Sequence, residues 1–158
     1  MRELGQHFLK DERVLSAILK AAAVQPGEDV LEIGAGTGAL TRPLAERAKA
    51  VLAIEIDPAL AIRLRKEFSG SNVRIVEGDA LRLLPELRCD LLISNTPYVI
   101  AEALLRLLPR ARFSRALLAL PNPLVRALQG SEPTALTARC SREDRTAGSR
   151  SLQSPYCL

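Results

Sequence analysis

The chain is expected to fold as an α/β domain with a doubly wound, mostly parallel sheet. Over residues 1–130, short apolar runs alternate with helical patterns. That alternation marks βαβ units. The runs are apolar almost throughout, as in strands covered on both faces, and do not alternate as in a half-exposed sheet. The length of 158 residues suits about one domain.

The elements follow in order. Asp11 is placed to cap a helix with Val14, Leu15, Ile18, Leu19 and Ala22 on one face. Pro26-Gly27 ends it. The first strand is Asp29-Val30-Leu31-Glu32-Ile33, and it runs into Gly34-Ala35-Gly36-Thr37-Gly38. A second helix is expected from Ala39 to about Ala48, then a strand at Ala50–Glu55. Asp57-Pro58 pairs an N-cap with proline at the first helical position, so a third helix starts there and runs to about Phe68. Strands follow at Val73–Val76 and Asp90–Ser94, a helix at about Ile100–Leu108, and a fifth strand at Arg115–Leu120.

From about Gly130 the pattern changes. Residues 131–158 hold three leucines and one tyrosine among five serines, three threonines and four arginines. No period of 2 or 3.6 survives, so this tail is expected to be divergent and irregular, unable to bury enough area to offset its ordering entropy. The domain reading is therefore residues 1–130, an α/β domain, and residues 131–158, a tail.

Apolar residues at 47% and charged residues at 25% exclude global disorder. No apolar run approaches the roughly 20 residues of a membrane-spanning helix. The start, Met1-Arg2-Glu3-Leu4-Gly5-Gln6, lacks the apolar core of a secretory signal. Cys89, Cys140 and Cys157 fit neither a zinc pattern nor a disulfide framework, which makes a reducing cytosol the default and predicts no metal. Net charge is +4, and residues 103–131 carry Arg106, Arg110, Arg112, Arg115 and Arg126 with no acid. Such a stretch is either a solvated face or a contact for a polyanion such as nucleic acid.

In doubly wound sheets ligands bind at the carboxyl ends of the strands, near the switch in strand order, and four motifs fall there. The glycines of Gly34-Ala35-Gly36-Thr37-Gly38 permit a tight turn and close approach to a ligand; the spacing is not the dinucleotide G-x-G-x-x-G, and such a turn can also be merely structural. Glu55 ends the second strand, where an acid can accept from both hydroxyls of a ribose or stand exposed in a loop. Asp79, in Gly78-Asp79-Ala80, can accept from an exocyclic amine such as that of adenine, cap the helix at Leu81–Leu84, or do both. Asn95-Thr96-Pro97-Tyr98 offers an amide oxygen, a backbone carbonyl, a fixed φ and an aromatic face. That set suits a planar base bearing an NH₂ group, stacked on Tyr98; the plain alternative is a turn before a helix. Gly5-Gln6-His7-Phe8-Leu9 says little alone.

Taken together, Gly5–Leu9, Leu31–Thr41, Ile54–Asp57, Gly78–Ala80 and Asn95–Tyr98 resemble the rRNA adenine-N6 dimethyltransferase family in order and spacing over roughly residues 4–130. The histidine after Gly-Gln is similar to the archaeal branch. The resemblance implies a Rossmann-like methyltransferase fold and N6-dimethylation of adenine in small-subunit rRNA during ribosome biogenesis, with S-adenosyl-L-methionine as cofactor. It implies a cofactor site lined by His7, Leu9, Gly34, Gly36, Glu55, Asp79 and Asn95. Asn95, Thr96 through its carbonyl, Pro97 and Tyr98 would hold the target adenine. The implied partner is small-subunit rRNA or the pre-ribosomal small subunit, in the cytoplasm, with no membrane and no obligate protein partner.

Two departures stand out. Thr96 replaces the family's usual leucine or isoleucine, though its side chain is not the group that accepts the amine. The family also continues past Pro121 with strands that complete the sheet and a small helical domain, whereas Gly130 onward does not resemble it. The C-terminal strands and helical domain are therefore expected to be missing, with an unpaired edge left at the fifth strand or its neighbour. Three other functions remain open at this level: a nicotinamide-dependent oxidoreductase, disfavoured by the glycine spacing; a non-catalytic RNA-binding or ribosome-assembly module; and a methyltransferase for another planar amine.

Overall fold

A computed structural model of the chain describes residues 11–120, residue 124 and the backbone of residues 135–139. The strands are β1 (Asp29–Ile33), β2 (Ala50–Glu55), β3 (Val73–Glu77), β4 (Arg88–Asn95), β5 (Arg112–Ala119) and β6 (Ala135–Arg139). The helices are α1 (Glu12–Ala22), α2 (Thr41–Ala45), α3 (Pro58–Glu67), α4 (Ala80–Leu83) and α5 (Tyr98–Leu107). Among the described residues the sheet order is β3-β2-β1-β4-β5-β6. β1 to β5 are parallel, and β6 runs antiparallel to β5. The chain winds outward from β1 to β3, then returns to β4 on the other side of β1. That switch lies between β1 and β4.

Three aspartates start helices as the sequence predicts. Asp11 accepts from the Arg13 N–H at 2.9 Å, Asp57 from Ala59 and Leu60 at 2.8 and 3.1 Å, and Asp79 from Leu81 at 2.9 Å. Each bond satisfies an amide with no partner inside its helix, worth about 1 kcal/mol. Sheet alternation then builds two cores. Val30, Val51, Ala53, Leu91 and Ile93 face α1–α3, packing with Ile18, Leu44 and Leu64. Leu31, Ile33, Ile54, Leu92 and Leu118 face α4 and α5, packing with Leu84, Ala101 and Leu104. Both faces are covered, which is why the strands read as continuous apolar runs.

α2 is shorter than the expected Ala39–Ala48 span. Helical bonding nevertheless continues past its end, with Ala48 N–H donating to the Leu44 carbonyl at 2.9 Å; the difference is one of boundary. The tail differs more. The sequence predicts an unpaired edge at β5 or its neighbour and an irregular tail from about residue 131. The structure corrects this for residues 135–139, which pair with β5 from Arg115↔Arg139 to Ala119↔Ala135. An open edge leaves backbone donors and acceptors unpaired, and Ala-Leu-Thr-Ala-Arg contains no proline or glycine to prevent it from satisfying them. Apolar periodicity does not report that backbone requirement. The other residues of the 131–158 tail lie outside the described residues.

The basic stretch also resolves into parts. Arg115 is tied inward: it pairs with Glu28 at 2.6 Å and donates to the carbonyl of Ala22 at the C-terminus of α1. Arg106 pairs with Glu102 one turn earlier on α5 at 2.6 Å. Arg126 lies outside the described residues. Cys89 is buried as a free thiol, and burial with Asp90 nearby pushes its pKa up to about 12; Cys140 and Cys157 lie outside the described residues. Among the described residues, no helix is long and apolar enough to cross a membrane, and no three His, Cys, Asp or Glu side chains group as for a metal ion.

Candidate active site

The carboxyl ends of β1, β2, β3 and β4 open into one cleft at the switch point. Its walls include Gly34 and Gly36 after β1, Glu55 and Ile56 after β2, Asp79 after β3, and Asn95 and Pro97 after β4. Four turns far apart in sequence are thus brought to one place by the strand order.

The first turn has room built into it. Gly34 has a φ of 79°, and a Cβ there would meet no atom of the described residues within 4 Å. The backbone therefore presents open space to the cleft. Gly38 is the opposite case: at φ 81°, a Cβ would stand 2.9 Å from the Leu64 side chain. There the glycine lets the turn sit on α3. Arg42 and Arg63 both donate to the Thr37 carbonyl, at 3.1 and 2.9 Å, which fixes the outer limb of the turn.

Glu55 is buried, not loop-exposed. Its Oε2 accepts from the Gly36 N–H at 2.7 Å and its Oε1 from the Asp57 N–H at 2.9 Å. Its backbone carbonyl accepts from Gly78 N–H at 2.9 Å. The turns after β1, β2 and β3 therefore meet on this one residue. An ionised carboxylate has about four acceptor positions, so two backbone bonds are compatible with accepting from a ligand as well. Asp79 caps α4 while lining the cleft, and it pairs with the exposed Arg82 at 3.6 Å.

The fourth turn is divided. Asn95 and Pro97 line the cleft. Thr96 is buried; its N–H donates to the Ala119 carbonyl at 3.0 Å, and its hydroxyl oxygen has no partner among the described residues. That backbone bond fixes the peptide on which its carbonyl stands. Tyr98 begins α5 and is 57% exposed, next to Val99 at 70%. Pro97 and Val99 line the cleft, and Tyr98 lies between them in sequence without being one of its lining residues. Ser94 donates to the Ile33 carbonyl at 3.0 Å, joining the two strands that flank the switch. His7 and Leu9 lie outside the described residues.

Sequence reasoning missed Glu32 as a site residue. It is buried in the middle of the sheet, lines the cleft, and its Oε2 has no hydrogen-bond partner among the described residues. Burial raises its pKa to about 8; the nearby Thr41 hydroxyl draws it back and the Glu55 carboxylate adds to the rise. The available signal was a single acid within Val30-Leu31-Glu32-Ile33, a strand otherwise apolar on both faces. A buried acid without a partner is expensive unless it is neutral or meets a cation. Ile56, 51% exposed and lining the same cleft, also escaped notice as a site residue.

The family model described as ribosomal RNA adenine dimethylase matches residues 1–142, twelve residues beyond the point where the sequence reading saw the resemblance end. A probable ribosomal RNA small subunit methyltransferase A of Pyrobaculum aerophilum is 46% identical over 143 residues, covering 90% of this chain and 57% of that protein. The ribosomal RNA small subunit methyltransferase A of Thermosynechococcus vestitus is 45% identical over 105 residues, covering 66% of this chain and 40% of that protein. The chain thus spans about half the length of these curated relatives. Among solved structures, the 23S rRNA methyltransferase ErmE superposes with a TM-score of 0.72 at 34% identity, covering 78% of this chain and 52% of that one. A dimethyladenosine transferase from Plasmodium falciparum gives 0.68 at 33% identity, covering 77% and 46%.

Proposed function

The chain belongs to the ribosomal RNA adenine dimethylase family, and from that membership we propose that its cleft binds S-adenosyl-L-methionine and serves N6-dimethylation of adenine in small-subunit rRNA. The observation that carries the reading is the convergence of Gly34, Glu55, Asp79 and Asn95 on one cleft at the switch between β1 and β4.

The residues fit the cofactor. Gly34 leaves space where any side chain would intrude. Glu55 can accept from ribose hydroxyls and Asp79 from an adenine amine. The unpartnered Oε2 of Glu32 suits a positively charged ligand. His7 and Leu9 belong to the same proposed site by the family motif. The bound cofactor supplies a methyl group already activated on a sulfonium, so the protein needs little acid–base chemistry.

The protein's task is to position the amine. The lone pair of adenine N6 is conjugated with the ring and is a poor nucleophile. The Asn95 side-chain oxygen and the Thr96 carbonyl accept its two N–H bonds, favouring a more tetrahedral nitrogen and fixing the direction of the lone pair. Pro97 holds the turn that presents both acceptors. Tyr98, exposed at the start of α5, stacks on the extruded base. Orientation of this kind contributes several kcal/mol, with an upper range of roughly 7–11.

Two measurements test the reading. Isothermal calorimetry should give saturable binding of S-adenosyl-L-methionine and none of NADH. Transfer of labelled methyl groups should go to small-subunit rRNA in preference to 23S rRNA, the substrate in the name of the similar ErmE. Preference for 23S rRNA would reassign the substrate. Cofactor binding without transfer to either RNA would favour a ribosome-assembly role, and absence of cofactor binding would end the proposal.

A further inference from the structure

Resting on the RNA reading above, we propose a second contact for RNA, a phosphate-binding cluster formed by Arg88, Arg110 and Arg112 at the end of the sheet opposite the cleft. Arg88 opens β4 and Arg112 opens β5, and the two are register partners in the parallel pair. Neighbouring strands run about 4.7–4.9 Å apart, and side chains at matched positions leave the same face. The two arginine side chains therefore leave the sheet from neighbouring positions on the same face. Arg110 ends the short helical turn just before β5. All three are exposed, and none has an ion pair or hydrogen bond among the described residues.

Adjacent like charges repel, and neither Glu86, two residues before Arg88, nor Asp90, two residues after it, forms an ion pair with any of the three. Asp90, two residues along β4, accepts from the Asp29 N–H at 2.9 Å, and Asp29 is itself paired with Lys49 at 3.3 Å. Arg106 and Arg115, from the same basic stretch, are consumed by Glu102 and Glu28. Strand pairing adds Arg88, which is 24 residues from Arg112 in sequence, to Arg110 and Arg112, the two of that stretch that remain among the described residues. The planar, multi-donor guanidinium matches the oxygens of a phosphate. Arg88 and Asn95 lie at opposite ends of β4, a span of about 23 Å at roughly 3.3 Å per residue. No nucleoside cofactor bridges that distance; a folded RNA does.

The experiment is RNA binding as a function of salt, with a transcribed segment of small-subunit rRNA as the probe. The triple variant Arg88→Gln, Arg110→Gln, Arg112→Gln should bind more weakly at low salt. Its plot of log affinity against log salt should be flatter by roughly 0.7–0.9 for each phosphate that is no longer neutralised. Its affinity for S-adenosyl-L-methionine should be unchanged. Its thermal midpoint should be unchanged or higher, because a repulsion has been removed. Arg74→Gln, on β3 at the far edge of the sheet, should alter neither affinity nor slope beyond the effect of one diffuse charge.

An unchanged affinity and slope in the triple variant would overturn the cluster while leaving the RNA reading intact. So would a slope change in Arg74→Gln as large as in Arg112→Gln alone. Loss of binding to polyaspartate with RNA binding retained would reassign the surface to an acidic protein. Failure of the wild-type chain to bind RNA, with cofactor binding intact, would instead remove the RNA reading and the cluster with it.

Discussion

The Oε2 of Glu55 accepts a 2.7 Å hydrogen bond from the N–H of Gly36. The carboxylate at the end of β2 thereby holds the glycine turn that follows β1. A residue read from sequence as a ribose contact is thus also a clamp on the backbone around it. The two duties can be separated. Glu55→Ala should lower stability and cofactor affinity together, each charge-assisted bond contributing about 1.5–3 kcal/mol. Wild-type protein should bind a 2′-deoxy analogue of the cofactor more weakly than the cofactor, and the variant should not distinguish them. Calorimetry with both ligands decides the matter: discrimination that survives in Glu55→Ala removes Glu55 from the ribose contact and leaves it only the clamp.

Glu32 gives the protein a pH dependence with a definite sign. Its pKa is raised by burial from 4.5 to about 8 in the folded protein. The folded state therefore keeps a proton that the unfolded chain releases. Its stabilising contribution is complete below the unfolded value, falls as pH rises, and is gone above about 8. One proton sets a slope of at most about 1.4 kcal/mol per pH unit. Denaturant titrations from pH 5 to 9 should show Glu32→Gln losing less stability than wild type across this window. A positively charged ligand should expel the proton. At pH 7, binding enthalpies of S-adenosyl-L-methionine in phosphate and in Tris should then differ in wild type and agree in the variant. Equal enthalpies in wild type would show that Glu32 is not coupled to the ligand.

These two acids also mark how far the sequence was legible. Asp11, Asp57 and Asp79 were readable as helix caps because a cap is a local event, decided within three residues. Gly34, Glu55, Asp79 and Asn95 were readable as one site because parallel strands send their carboxyl ends to one side. What escaped depended on neighbours distant in the chain. The unpartnered Oε2 of Glu32 depends on packing across β1, β2 and α2. The pairing of Ala135–Arg139 depends on an open edge at β5, and Arg88 joins Arg112 only through strand register. Arg115 looked like part of a basic surface until Glu28, 87 residues away, claimed it.

Ala23 offers a stability test independent of function. It ends α1 with a φ of 43°, the one non-glycine residue with positive φ among those described. The left-handed conformation crowds a Cβ against the backbone by roughly 1–2 kcal/mol, and glycine escapes that strain at some entropic loss in the unfolded chain. Ala23→Gly should therefore stabilise the protein by about 0.5–1 kcal/mol in urea titrations. A destabilised variant would mean that the methyl group packs well enough to outweigh the strain.

Asn95 is where the chemistry is most directly tested. It stands at the last position of β4, paired in register with Ala119 and half-buried at the edge of the cleft. Truncation there opens no large hole in either core, because the neighbouring core positions are Leu92 and Ile93, further into the sheet. Asn95→Ala should consequently keep its thermal midpoint within a few degrees while losing methyl transfer. If the side-chain oxygen orients the amine, kcat should fall on the order of 100-fold, the scale associated with misplacing a reacting group by about 1 Å. The cofactor Kd should move much less, since Gly34, Glu55 and Asp79 remain. A parallel loss in Kd and kcat would place Asn95 with the cofactor alone. Dimethylation at the wild-type rate would show that the acceptors for the amine lie elsewhere in the cleft.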